Sequence, residues 1–395
     1  MEVEDKLETL VAAAQFDICG YSGVRNIKPS PLRFIHRAAL PGGGSVCLFK
    51  VLLTNVCTSD CAYCVNQIGR DIPRTSFRPE ELAKLFMELH TRRLVQGLFL
   101  SSGIGTDASG TMESMIKTVQ ILRDHYEFKG YVHLKILPGA SFEYVEEGCK
   151  LANRVSVNME APTTRHLAKL SSQKDLYQGI LEPMHWVKKL KAANDKLVPS
   201  GQTTQFVVGA AGETDQDILH TTEALYHEVE LRRVYFSAFR PVRNSPLEGL
   251  PPASPLRAHR LYQADWLLRV YGFSPQEVEL ALGGKGNLAL RKDPKLVIAE
   301  KQPWLFPVDV NRASYDELLR VPGVGPVSAR RITEARQEHS IFSMEQLRKM
   351  RVLTRKATPF IWFQGMLPSE KQTSFLPQLE DEMVQPAPSL ASALG

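Results

Sequence analysis

Cys57, Cys61 and Cys64 stand at C-x3-C-x2-C spacing, directly after the β-prone run Val46-Cys47-Leu48-Phe49-Lys50-Val51-Leu52-Leu53. A loop leaving a strand end can wrap three thiolates around one compact object. Thiolates suit soft metals, and iron–sulfur clusters are held by closely spaced cysteines. A cubane cluster has four irons, so three ligands leave one iron open to a substrate or cofactor. Catalytic zinc sites use an open position in the same way. The alternative readings are a zinc site or unrelated buried thiols. Zinc usually takes a fourth protein ligand and paired C-x2-C units, and the chain carries no second pair.

The stretch, with Tyr63 as the aromatic residue before the third cysteine, resembles the signature of the radical S-adenosylmethionine (SAM) superfamily. In that family the open iron chelates the amine and carboxylate of SAM. Reductive cleavage of the sulfonium then gives a 5′-deoxyadenosyl radical that abstracts a hydrogen atom. The resemblance implies a [4Fe-4S] cluster on Cys57, Cys61 and Cys64, SAM as cofactor, and a reductant such as flavodoxin or ferredoxin. It also implies that Tyr63 presents its backbone to the adenine.

Elements that could position this loop alternate along the chain. Short apolar runs at 46–53, 97–101, 131–136, 154–158, 203–208 and 233–237 read as buried parallel strands. Helical stretches fall between them at about 79–95, 112–125, 141–151, 174–193 and 215–229. The fold class expected is α/β: a partial (β/α)6 barrel with active groups at the carboxyl ends of its strands, then a small all-α domain. The expected divisions are an N-terminal helix and basic lead-in over 1–45, the barrel with a helical extension over 46–300, a hairpin domain over 301–365 and a disordered tail over 366–395. Arg25, Lys28, Arg33, His36 and Arg37 make the lead-in basic.

The strand ends supply candidate cofactor contacts. Ser101-Ser102-Gly103 stands where the family carries Gly-Gly-Glu for the methionine amine, so no acidic contact is carried over there. Ser156, Asn158 and Glu160 share a strand face by alternation and are similar to the polar set that meets SAM in relatives. Arg240, ending the sixth strand, is a candidate for the SAM carboxylate, a substrate phosphate or an ion pair.

Near the C-terminus, Pro322-Gly323-Val324-Gly325 forms a turn between two helices, and Pro326 opens the second. Free N–H groups and the positive dipole end at that helix start suit a phosphate. Arg330 and Arg331 follow one turn later and can add charge-assisted contacts. The pattern, with Ala329 and Ile332, resembles the helix-hairpin-helix DNA-binding family, which grips the sugar-phosphate backbone without reading sequence. The resemblance assigns Gly323, Val324, Gly325, Arg330 and Arg331 to DNA. Between Val308 and Gln364 ten Lys and Arg face six Asp and Glu, so most of the chain's net charge of +5 falls here.

Composition excludes several classes. The chain has 395 residues, with 43% hydrophobic and 23% charged, ordinary for a globular protein with more than one domain. No apolar run reaches the roughly 18 residues of a membrane helix, and the acidic N-terminus does not read as a signal peptide. A cytoplasmic, reducing compartment fits six cysteines without a disulfide framework. Up to about residue 365 the chain resembles a family of radical SAM proteins associated with DNA modification or repair. The combination points to radical chemistry on DNA. The alternatives are an RNA- or tRNA-modifying radical enzyme, a peptide- or metabolite-modifying one with a docking hairpin, and a DNA-bound redox sensor without SAM turnover.

Overall fold

The computed structural model describes residues 3–14, 35–39 and 45–363. Arg25, Lys28, Arg33 and the expected tail lie outside them. The chain divides into two compact units: 1–265 with 284–288, and 266–283 with 289 onward.

The first unit opens with α1 (Val3–Ala14), then β1 (Ile35–Ala39) and β2 (Ser45–Leu52). The series continues with α2 (Pro79–Thr91), β3 (Gly97–Ser101), α3 (Ala108–Gln120), β4 (Tyr131–Lys135), α4 (Phe142–Leu151) and β5 (Arg154–Ser156). After α5 (Thr164–Leu167) come α6 (Glu182–Ala193), β6 (Gln202–Val208), α7 (Asp215–Glu228) and β7 (Arg233–Ala238). Seven strands of the described residues form one sheet in sequential order, β1 to β7. From β2 onward every neighbour is parallel, the curled half-barrel expected of six β/α units. The added strand is β1, antiparallel to β2, with Ile35 opposite Phe49 and Ala39 opposite Ser45. It lies within the stretch read from sequence as an irregular lead-in. Two basic residues in five hid its strand character.

Local chemistry accounts for the helices. Pro79 sits in the first turn of α2, and Glu81 accepts from the Arg78 N–H at 2.9 Å. Leu82, Phe86 and Leu89 give that helix its buried face. α3 and α6 are joined to single π-turns, Ile121–His125 and Tyr177–Leu181. Along the strands, buried Leu98, Leu100, Val132, Leu134 and Phe206 alternate with Phe99, His133, Lys135 and Gln205, which line a small interior cavity. A barrel interior is commonly filled by branched aliphatics; here much of it is polar.

After β7 the chain forms α8 (Pro255–Arg269), and the second unit contains α9 (Pro275–Glu279), α10 (Pro294–Lys301), β8 (Val308–Asp309), α11 (Tyr315–Arg320) and α12 (Pro326–Glu338). It ends with α13 (Met344–Lys349), α14 (Thr354–Ala357) and β9 (Ile361–Trp362). Val310, Leu318, Val321, Ala329, Ile332 and Phe360 belong to one buried cluster. β8 and β9 pair in parallel and tie the module's two ends together.

Candidate functional site

The three-cysteine loop is fixed at both feet. Leu53 N–H donates to Ser101 at 2.9 Å, and Thr54 Oγ1 lies 2.6 Å from Ser76 Oγ. The Asn55 amide donates to Pro73 O and accepts from Thr75 N–H, both at 2.8 Å. Arg74 donates to four carbonyls, those of Asn55, Asn66, Gln67 and Arg70, at 2.6 to 3.1 Å. A planar guanidinium can hold several carbonyls at once because its donors are rigidly forked.

The loop is also braced on both flanks. On one side Thr58 N–H donates to Ile104 O at 2.8 Å and Gly103 N–H to Thr54 O at 2.7 Å. A β-carbon on Gly103 would stand 2.5 Å from the Val56 carbonyl, so glycine is required by close approach. On the other side Ala62 N–H donates to Leu170 O at 2.8 Å. Asp60 accepts from Ser171 Oγ, and from Ser172 N–H and Oγ at 2.8 and 2.6 Å. These hydroxyl and amide donors outweigh burial and hold the Asp60 carboxyl below its ordinary range.

Cys61 is buried, and Cys57 and Cys64 are half-buried. Backbone N–H groups of Ile104 and Asn66 point at Cys57 Sγ and Cys64 Sγ, at 3.5 and 3.4 Å. Such N–H···S contacts tune metal-bound thiolates. Burial, then the neighbouring Cys61, pushes the Cys64 thiol up to about 12; burial also raises Cys61. Sulfurs disfavoured as bare thiolates suit a cationic iron–sulfur group that neutralises them. Among the described residues no three His, Cys, Asp or Glu side chains are gathered tightly enough for a single metal ion. A cubane, by contrast, offers its irons at separate corners.

Beside the loop stands a buried ion pair. Lys174 Nζ lies 3.1 Å from Glu160 Oε1, 3.4 Å from Tyr63 Oη and 5.9 Å from the centroid of the Tyr63 ring. Burial opposes the ammonium charge, but Cys61 and Glu160 outweigh it and raise Lys174 above the ordinary lysine range. Glu160 has φ +63°, in the left-handed region, beyond the short β5. Its N–H donates to Gln205 O and its carbonyl accepts from Val207 N–H, so β6 holds the strained residue in place. Buried atoms close to the loop that lack a partner among the described residues include Glu160 Oε2, Ser102 Oγ and Asn66 Oδ1. An acceptor and a hydroxyl left unsatisfied suit a polar ligand that brings ammonium or hydroxyl groups. The residues present therefore fit the cluster and SAM.

The remaining expected contacts divide. Ser101 is buried at the end of β3, and Asn158 is buried past β5. Ser156 Oγ is 2.9 Å from His133 Nε2, and both line the interior cavity with Lys135 and Asn158. Arg240 is exposed, in contrast to the buried pair Lys174–Glu160. Lys174 was missed by sequence reasoning. It lies 14 residues past Glu160, after Ser171-Ser172-Gln173, at the head of the stretch read as helical from 174, where helical geometry begins only at Tyr177 and no binding motif marks the lysine. The acid at Asp60 facing two serines was the only available signal, and it appears only once the chain is folded.

In the hairpin, Gly325 is the N-cap of α12, and Arg330 is exposed on that helix, with Arg331 half-buried beside it. Val324 is 3% exposed, so its side chain belongs to the core and only its backbone can meet a ligand. Gly323 has φ +85°, and a β-carbon there would stand 2.5 Å from the Leu353 carbonyl. Its glycine is thus demanded by the second turn, whose Leu353 N–H donates to Gly323 O at 2.9 Å. Ser328 Oγ donates to Arg351 O at 2.9 Å, a second tie between the turns.

Residues 51–225 match the Radical SAM superfamily, and residues 307–358 match the helix-hairpin-helix motif. The chain thus carries a radical SAM domain followed by a helix-hairpin-helix region, and the domain's cofactors are a [4Fe-4S] cluster and SAM. Two curated relatives are 23% identical over 207 residues, half of this chain. One is a tRNA-2-methylthio-N(6)-dimethylallyladenosine synthase of Lachnoclostridium phytofermentans, 42% covered; the other is the threonylcarbamoyladenosine tRNA methylthiotransferase MtaB of Thermotoga maritima, 45% covered. The chain spans less than half the length of these relatives. Among solved structures, methylornithine synthase (PylB) aligns with TM-score 0.45 and 15% identity, covering 55% of this chain and 60% of that one. The [FeFe]-hydrogenase maturase HydG aligns with TM-score 0.45 and 13% identity, covering 55% and 49%. Among the described residues no helix is long and apolar enough to cross a membrane.

Proposed function

We propose that this chain is a radical SAM enzyme that modifies or repairs nucleic acid, with DNA as the substrate and a small reductant such as flavodoxin or ferredoxin as electron donor. The observation that carries the reading is one chain joining a braced three-cysteine loop, beside an unsatisfied buried carboxylate oxygen, to a basic hairpin module. When bound, the cluster and SAM together supply reductive sulfonium cleavage and a hydrogen-abstracting radical; the protein supplies position and exclusion of water.

In this reading Cys57, Cys61 and Cys64 hold the cluster. Tyr63 offers its backbone to adenine, and Ser101, Ser102 and Gly103 face the methionine end. Asn158 and Glu160 accept from ribose hydroxyls or the ammonium, while Ser156, engaged by His133, shapes the floor. Lys174, buried where Arg240 is exposed, supplies the cation for the SAM carboxylate. Exposed Arg240 is better placed for a substrate phosphate. At the hairpin, the amides at Gly325 and the start of α12, with Arg330 and Arg331, grip the backbone, and Gly323 and Val324 set the turn. A base inside a duplex is out of reach, so extrusion or an already unpaired site is required.

A second reading, RNA as substrate, is favoured by the names of the two tRNA-modifying relatives. Anaerobic reconstitution with dithionite and SAM, scoring 5′-deoxyadenosine with duplex DNA or with tRNA, tests both. Stimulation by DNA is the expected result; stimulation by tRNA alone selects the second reading, and no SAM cleavage rejects both.

A further inference from the structure

The second unit buries one lysine directly beneath the hairpin turn. Lys295, in the first turn of α10, is 7% exposed, and its Nζ donates to the Val324 carbonyl at 2.6 Å. The ammonium lies 4.7 Å from the centroid of the Tyr271 ring, within cation–π range. The Tyr271 hydroxyl in turn sits 3.3 Å from where a Gly325 β-carbon would stand. Asp293 is not dedicated to this lysine. It caps α10 by accepting from the Lys295 N–H at 3.0 Å, and it accepts from Lys356 Nζ at 3.2 Å.

The position has a consequence for the turn. The Val324 carbonyl and the Gly325 N–H belong to one planar trans peptide, so they point in opposite directions. A carbonyl drawn inward to Lys295 sends the Gly325 N–H outward. Among the described residues that N–H has no acceptor. The same carbonyl lies between the two turn glycines, just ahead of the α12 start where free N–H groups gather.

Resting on the reading of the hairpin as a nucleic-acid contact, we propose that Lys295 is the positioning residue of that contact: it turns the Val324–Gly325 peptide so its amide faces a backbone phosphate, and its buried charge adds to the field the phosphate meets. Binding is then linked to protonation of Lys295. Burial pulls this lysine down to about 7, with Arg320 and Lys356 acting in the same direction and Asp293 against it. Tyr271 is the other titratable group against it, itself raised by burial. A phosphate nearby favours the charged form. If it raises the lysine by about one unit, affinity is about tenfold higher on the acid side of the titration than on the alkaline side.

The test is fluorescence anisotropy of the full chain with duplex DNA and with structured RNA, at constant ionic strength, from about pH 6 to pH 9, on either side of the lowered Lys295 titration at about 7. Wild type is expected to bind about tenfold more weakly at the alkaline end. Lys295→Arg, which stays charged, should flatten the profile near the acid-side affinity, whereas Lys295→Met should flatten it near the alkaline-side affinity. His339, exposed in the same unit, is controlled by His339→Gln, which should leave the profile intact. The wild-type profile needs no variant to fold, so a flat wild-type curve overturns the proposal by itself. A sloping curve that survives in folded Lys295→Met also overturns it. Absence of binding to either nucleic acid at any pH would instead strike the reading of the hairpin on which the proposal rests.

Discussion

Lys174→Met offers the sharpest energetic test of the candidate active site. The substitution keeps an unbranched apolar stem and removes the ammonium 3.1 Å from Glu160. Both side chains are buried, 10% and 6% exposed, so solvent screening is small. Glu160 Oε2 already lacks a partner among the described residues, and the substitution takes away the ammonium that donates to Oε1 as well. Breaking a buried pair by deleting one member costs about 3–5 kcal/mol, because the surviving charge stays buried. Glu160→Gln in the same background removes that stranded charge, so the double variant should be more stable than Lys174→Met alone. A double-mutant cycle should give a coupling of about 0.5–3 kcal/mol. The assay is denaturant unfolding of the cluster-free, reduced chain, with the transitions of the two units resolved separately. A Lys174→Met cost within about 0.5 kcal/mol of zero, or strict additivity in the double variant, would show that Lys174 and Glu160 are not a coupled buried pair.

Three further outcomes follow from the hairpin unit. Gly323→Ala places a β-carbon at φ +85° and 2.5 Å from the Leu353 carbonyl. Left-handed strain of about 1–2 kcal/mol and overpacking of about 1–3 kcal/mol should lower the second unit's unfolding transition and weaken nucleic-acid binding. SAM cleavage without substrate should be unaffected. Arg330→Ala should weaken binding and reduce the slope of log affinity against log salt by about 0.9, read from titrations at several salt concentrations. The stability of this unit should rise as pH increases above 7. Folded Lys295 gives up its proton at about 7, while the unfolded chain keeps it to about 10.4. In that window the unfolded state binds more protons, so alkalinity favours folding. Lys295→Met should flatten the rise in thermal melts taken between those limits.

The parallel frame was legible because β3 through β7 are short, strongly buried runs separated by helices with readable starts, such as Pro79 and Thr214. The cysteine spacing marked the loop for the same reason: the chemistry depends on neighbours in sequence. What escaped the sequence depends on neighbours in space. β1 carries His36 and Arg37 on an edge strand, where alternation alone is a weak signal. Lys174 meets Glu160 only because Asp60 draws the Ser171–Ser172 segment across the loop. The burial of the Val324 side chain, 3% exposed, is likewise invisible in the turn motif, which marks four positions and not which side chains point inward. Lys295, 29 residues before the carbonyl it holds, has no local mark at all.

The central claim is that Cys57, Cys61 and Cys64 hold a cluster with one iron open to SAM. Electron paramagnetic resonance of anaerobically reconstituted, dithionite-reduced protein tests it most directly. The expected result is a [4Fe-4S] signal that changes when SAM is added, and loss of that signal and of 5′-deoxyadenosine formation in Cys61→Ala. Protein that retains no iron, a signal indifferent to SAM, or a Cys61→Ala variant that still cleaves SAM would contradict it.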